Sequence, residues 1–140
     1  MSVVSSLKSA KGAATGGNVD FLHCNVTDYA DNYRLFKAAY DKYRRIDHAI
    51  SCAGILEQGK WLDPDLTIES VGREEATRVV LDVNLLGSCV FARMAVVFLQ
   101  DRIQKGENKS ITLLSSVAAF RESPGLFMYQ VKVTLIHCVE

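Results

Sequence analysis

Residues 110–132, SITLLSSVAAFRESPGLFMYQVK, decide how the rest of the chain is read. Ile111 to Leu114 form a short apolar run with the length and branching of a buried parallel strand, and Ser115 and Ser116 close it. In an open α/β sheet, ligands bind at the carboxyl ends of the strands, so Ser116 stands where chemistry is expected. Thirteen positions later Tyr129 opens a predicted helix, and Pro124-Gly125 turns the chain between them. A hydroxyl and a phenol can thereby face one pocket.

The residues before this stretch alternate strand and helix. Val19 to Val26, VDFLHCNV, reads as a strand. Thr27 or Asp28 can cap a helix through Arg45, in which Tyr29, Tyr33, Phe36, Tyr40 and Tyr43 recur at helical spacing as one core-packing stripe. Ile46 to Cys52 reads as a second strand, leading into Ala53-Gly54. Residues 55–72 are expected to be an irregular loop over the strand ends, with Trp61 at its rim. A long helix is predicted from Arg73 to about Arg102, with Val79, Val83, Leu86, Val90, Met94 and Val97 on one face and Val80, Phe91 and Phe98 widening it. So broad a stripe suggests burial against the sheet and against a second subunit. Asn84 interrupts it, as a hydrogen-bonded core polar group would. Strand, helix, strand implies a parallel sheet.

Composition narrows the partners. The chain has 140 residues, 49% hydrophobic and 9% aromatic, values of an ordinary globular domain that buries about two thirds of its unfolded surface. Sixteen basic and sixteen acidic side chains cancel, leaving no overall field to draw in nucleic acid or an anionic membrane. MSVVSSLKSAKG lacks the apolar core of a signal peptide, and no run approaches the roughly 18 uninterrupted apolar residues of a membrane span. A soluble, cytoplasmic chain is expected. Cys24, Cys52, Cys89 and Cys138 form no C-x-x-C pair, and His23, His48 and His137 lack metal-binding spacing, so reduced thiols and no metal site are expected. Gly12, Gly16 and Gly17 precede a strand rather than follow one, the wrong order for a phosphate-cradling loop.

Three segments together resemble the short-chain dehydrogenases/reductases. Ser51-Cys52-Ala53-Gly54 looks like the family's Asn-Asn-Ala-Gly after its fourth strand, and Val83-Asn84-Leu85-Leu86-Gly87 resembles its mid-helix asparagine motif. Leu114-Ser115-Ser116, with Pro124 and Tyr129 following, resembles its catalytic segment. The wording of residues 114–130 is nearest to fungal members, some of which serve natural-product (secondary) metabolism. The resemblance implies an α/β fold: a partial Rossmann-type doubly wound parallel sheet lacking its first two and last two strands. Residues 1–18 would be a flexible segment, 19–130 the central part of the domain and 131–140 a divergent tail.

The resemblance further implies hydride transfer between NAD or NADP and a small alcohol or carbonyl substrate. Tyr129 would be the acid/base, Ser116 would hydrogen-bond the substrate oxygen, and Asn84 would hold a proton-relaying water. Asn25 and Val26 would contact the adenine, with Ala53 and Gly54 beside the cofactor ribose. A free phenol titrates near 10, so acid/base work near neutrality needs about 4 kcal/mol of preferential phenolate stabilisation, which the family draws from a lysine four residues on. Here Lys132 comes one residue early, an offset of about 100° and 1.5 Å on an α-helix. The family's Gly-rich turn has no counterpart ahead of residue 19, and its sheet order of 3-2-1-4-5-6-7 would leave the strands at 19–26 and 46–52 apart. Impaired catalysis is therefore expected, from a truncated or frame-shifted form. The alternative is a non-catalytic remnant that binds a full-length relative or a second copy through the helix at 73–102.

Overall fold

The computed structural model describes residues 19–57, 63–73, 78–121 and 125–133. Helix α1 spans Tyr29–Tyr43, strand β1 His48–Ser51, the one-turn helix α2 Ile68–Val71, helix α3 Val79–Gln100 and strand β2 Ser110–Leu113. Two 3-10 helices follow, at Val117–Ala119 and Tyr129–Val133. The fold is α/β with a parallel sheet: β1 and β2 pair in parallel, His48 opposite Ser110 through Ser51 opposite Leu113. Ser110 N–H donates to Asp47 C=O and Leu114 N–H to Ser51 C=O, each at 3.0 Å, so the ladder runs one residue further at either end.

Local chemistry accounts for the helix ends. Asp28, rather than Thr27, caps α1: its Oδ1 accepts the Asp31 N–H at 3.0 Å. At the other end Arg44 takes a left-handed conformation, φ 62°, and its N–H donates to Tyr40 C=O. Phe36 is the buried member of the expected aromatic stripe and meets the rings of Phe91 and Phe98 at 5.1 and 5.4 Å. Tyr29, Tyr33 and Tyr43 are exposed. The core consists of Phe36, Ala49, Met94, Ala95 and Leu99, flanked by Ile46, Val90, Phe91, Phe98 and Ile111, so α3 lies between α1 and one face of the sheet.

Four expectations are corrected. Residues 19–25 form no strand: they run without ladder partners into a turn at Val26-Thr27, with Phe21 73% exposed. A strand needs a neighbour for its backbone groups, and among the described residues β1 and β2 pair only with each other. The two strands are half-buried rather than fully buried: Ala49 and Ser51 face inward while Ile50 is 59% exposed. The segment expected to be wholly irregular contains α2, closed by a capping box in which Thr67 and Ser70 exchange side-chain and backbone bonds. Finally, the buried face of α3 is one residue out of phase with the expected stripe.

Asp82–Gly87 winds as a π-helix within α3, but the offset is already present ahead of that turn, where Val80 is buried and Val79 is 38% exposed. Val80, Asn84, Gly87, Ser88, Met94, Ala95 and Leu99 are buried, whereas Leu86 is 54% and Val97 65% exposed. By length and composition α3 is apolar enough to cross a membrane, but core helices share that property, and 33% of its most apolar window is buried within this chain. Trp61, Pro124, the glycines at 12, 16 and 17, and residues 134–140 lie outside the described residues.

Candidate active site

Parallel pairing brings the carboxyl ends of β1 and β2 to the same edge, and both candidate loops leave from there. After β1 come Cys52, Ala53, Gly54, Ile55, Leu56 and Glu57; Ala53 is half-buried and Gly54 exposed. After β2, Ser116 caps the first 3-10 helix, its Oγ accepting the Ala118 N–H at 3.2 Å. That bond leaves the hydroxyl hydrogen of this half-buried serine free to donate.

The π-helical turn faces the same loop. Asn84, fully buried, accepts the Ile55 N–H on Oδ1 at 2.9 Å and donates through Nδ2 to the Ile55 C=O at 2.8 Å. Both ends of the amide are thus spent on one backbone residue, and Asn84 pins the loop in place. Ser88 Oγ donates to the Asn84 C=O at 3.0 Å. Three residues on, Gly87 lies so close to Val26 that an added Cβ would sit 3.0 Å from the Val26 carbonyl oxygen.

Val26 and Asn25 are held from α1. Asn32, buried, donates to the Val26 C=O at 2.9 Å. Asn25 accepts the Thr27 N–H and hydroxyl on its side chain and donates its own N–H to Asp31 Oδ2 at 3.0 Å. That Asn25 N–H holds the Asp31 carboxyl below its ordinary value; burial, the next effect in size, opposes it, and the Arg34 guanidinium adds to the lowering. Asn25 itself is exposed and Val26 half-buried.

Tyr129 is half-buried at the start of the second 3-10 helix, which packs against both 117–119 and 82–87. The structure therefore brings the backbone segments of Asn84, Ser116 and Tyr129 together. The helix expected at Tyr129 is wound as 3-10 rather than α. This alters the register of Lys132. Residues three apart on a 3-10 helix eclipse, with a rise of about 6 Å. Four residues on an α-helix rise by the same ~6 Å and turn through about 40°. Backbone position 132 is therefore about 40°, not 100°, from the direction of a Tyr-x-x-x-Lys lysine, with no axial offset. The Lys132 side chain lies outside the described residues.

Sequence reading missed Glu57. Its Oε2 accepts the N–H groups of both Met128 and Tyr129 at 2.9 Å, across more than seventy residues of chain. One acid in a segment expected to be irregular carries no pattern that would reveal such a partner.

The loop carrying Ala53-Gly54 leaves the same sheet edge as the loop carrying Ser116, and small residues there would allow the close backbone approach that a dinucleotide needs.

The family described as Enoyl-(Acyl carrier protein) reductase matches residues 3–140. The short-chain dehydrogenase/reductase ascJ of the fungus Acremonium egyptiacum is 29% identical over 116 residues, covering 83% of this chain and 39% of the relative. Two solved structures share the fold. One is a 3-oxoacyl-[acyl-carrier protein] reductase of Brucella melitensis, with TM-score 0.71, 24% identity and coverage of 96% of this chain and 50% of that one. The other is a 3-ketoacyl-(acyl-carrier-protein) reductase of the same organism complexed with NADH, with TM-score 0.62, 21% identity and coverage of 81% and 43%. The chain spans half or less of the length of each of these three proteins. With a family match across nearly its whole length, this chain belongs to the short-chain dehydrogenases/reductases.

Proposed function

We propose that residues 19–133 carry the substrate-side half of an NAD(P)-dependent oxidoreductase site acting on a small alcohol or carbonyl compound. The observation that carries this reading is the meeting of 82–87, 117–119 and 129–133 at the carboxyl edge of the parallel sheet. Asn25, Val26, Ala53 and Gly54 would hold the dinucleotide, whose nicotinamide, when bound, gives or takes the hydride. Ser116 donates its hydroxyl hydrogen to the substrate oxygen and fixes its position. Tyr129 gives the proton to that oxygen during reduction and takes it back during oxidation.

Lys132 is the residue whose charge favours the phenolate, and the 3-10 winding supports that role despite the short interval. Asn84 keeps the loop after β1 in place, and the water relay falls to the amide hydrogen not bonded to Ile55. A soluble, cytoplasmic chain free of nucleic acid and membrane belongs to this reading. The test is turnover of NADH and NADPH by the 140-residue chain with 2,3-butanedione, before and after Tyr129→Phe. Loss of the rate by roughly a hundredfold or more supports the assignment, and an unchanged rate refutes it.

The second reading is a weakly active or inactive chain that associates with a second copy or a full-length relative. Exposed apolar side chains on α3, Leu86, Val96 and Val97, favour it. Sedimentation of the chain alone and mixed with such a relative tests it, and a monomer in both cases rules it out.

A further inference from the structure

We propose that Glu57 is a positioning residue for Tyr129, and that the loop from Ala53 to Glu57 is the part that sets the phenol against the rest of the site. This rests on the reading of Tyr129 as acid/base. The loop is fixed at two points. Its middle is held by the Asn84 amide, which takes both backbone groups of Ile55 at 2.9 and 2.8 Å. Its end holds the backbone of the Tyr129 segment, because Glu57 Oε2 accepts the Met128 and Tyr129 N–H groups at 2.9 Å each. These N–H groups open a helix and have no acceptor within it, so an ionised carboxylate bonds them strongly. Glu57 Oε1 is buried and has no hydrogen-bond partner among the described residues. A buried carboxylate oxygen without a donor is a cost, which makes the Met128 and Tyr129 N–H groups the visible return for having an acid here. The same loop carries Ala53 and Gly54, so a displacement at the cofactor side reaches the phenol through five residues.

Backbone amide exchange and kinetics in Glu57→Ala and Glu57→Gln test this on the full 140-residue chain. Glutamine keeps an oxygen for the two N–H groups and alanine does not. In Glu57→Ala, exchange at Met128 and Tyr129 accelerates about tenfold or more while remote amides of α1 keep their rates. The kcat for 2,3-butanedione with NADPH or NADH falls about ten- to a hundredfold with KM unchanged, and Glu57→Gln restores most of both. Unaltered exchange at 128 and 129 in Glu57→Ala overturns the proposal, as does a fall in kcat that glutamine does not rescue. Should Tyr129→Phe leave the rate intact, or the wild-type chain show no turnover, the reading of Tyr129 fails on its own. The exchange rates still decide whether Glu57 holds the segment.

Discussion

Gly87→Ala puts two effects of similar size against each other, and the structure decides the sign. Replacing a helical glycine by alanine gains about 1 kcal/mol of backbone entropy. The new Cβ would sit 3.0 Å from the Val26 oxygen, 3.1 Å from its Cγ2 and 3.3 Å from its Cβ. Relief requires Val26 to retreat by a few tenths of an ångström. Its carbonyl is held by Asn32 Nδ2 at 2.9 Å, and Asn32 is buried and donates again to Asp28 C=O at 2.7 Å. Retreat would stretch a buried hydrogen bond, so the overpacking cost is put at about 2 kcal/mol, within the usual 1–3. The net expectation is a loss of about 1 kcal/mol, or roughly 3 °C in Tm. Urea unfolding followed by circular dichroism measures it. A Gly87→Ala chain equal to or more stable than the parent would show that Val26 yields freely, and that the close approach of 26 to 87 does not constrain the site. Asn32→Ala supplies the cross-check: with the carbonyl released, the added penalty of Gly87→Ala should shrink.

Asn84→Ala removes both bonds to Ile55 and returns about 0.5 kcal/mol of helix propensity, for a net loss of about 2 kcal/mol by urea unfolding; amide exchange at Ile55 should rise, and an unaltered rate there would count against the pinning role. Acid unfolding reports on Asp31. Its folded value is depressed, so its contribution is present above the unfolded value of about 3.9 and fades as pH falls through the lower, folded one. Asp31→Asn should therefore flatten the pH dependence of stability below about pH 4, while a slope matching the parent's would show that the Asn25 N–H bond is not holding the turn.

Local chemistry was legible where it was local. A cap at Thr27 or Asp28, the β1-α3-β2 order and the buried polar character of Asn84 follow from residue type and spacing. What escaped depends on distant partners. VDFLHCNV has strand composition, yet a strand exists only where a neighbour takes its hydrogen bonds, and the described chain offers it none. The π-turn in α3 cannot be read from an apolar stripe, because the stripe fits an uninterrupted helix equally well and places Leu86 and Val97 inward. The Tyr129 segment was read as α-helical, and its 3-10 winding changes where Lys132 stands relative to the phenol. Glu57 was hidden for the plainest reason: its partners lie 71 and 72 residues away in sequence.

The parallel ladder also sets how the chain acquires its shape. His48 finds Ser110 sixty-two residues away, so first contact between β1 and β2 closes a loop whose length-dependent entropy is about 3.6 kcal/mol. The four residue pairs between the strands return little of that at once. Phe36 meets Phe91 and Phe98 across 55 and 62 residues, a closure of the same size, so the helix pair and the strand pair share one loop-closure cost and either contact, once made, brings the partners of the other close.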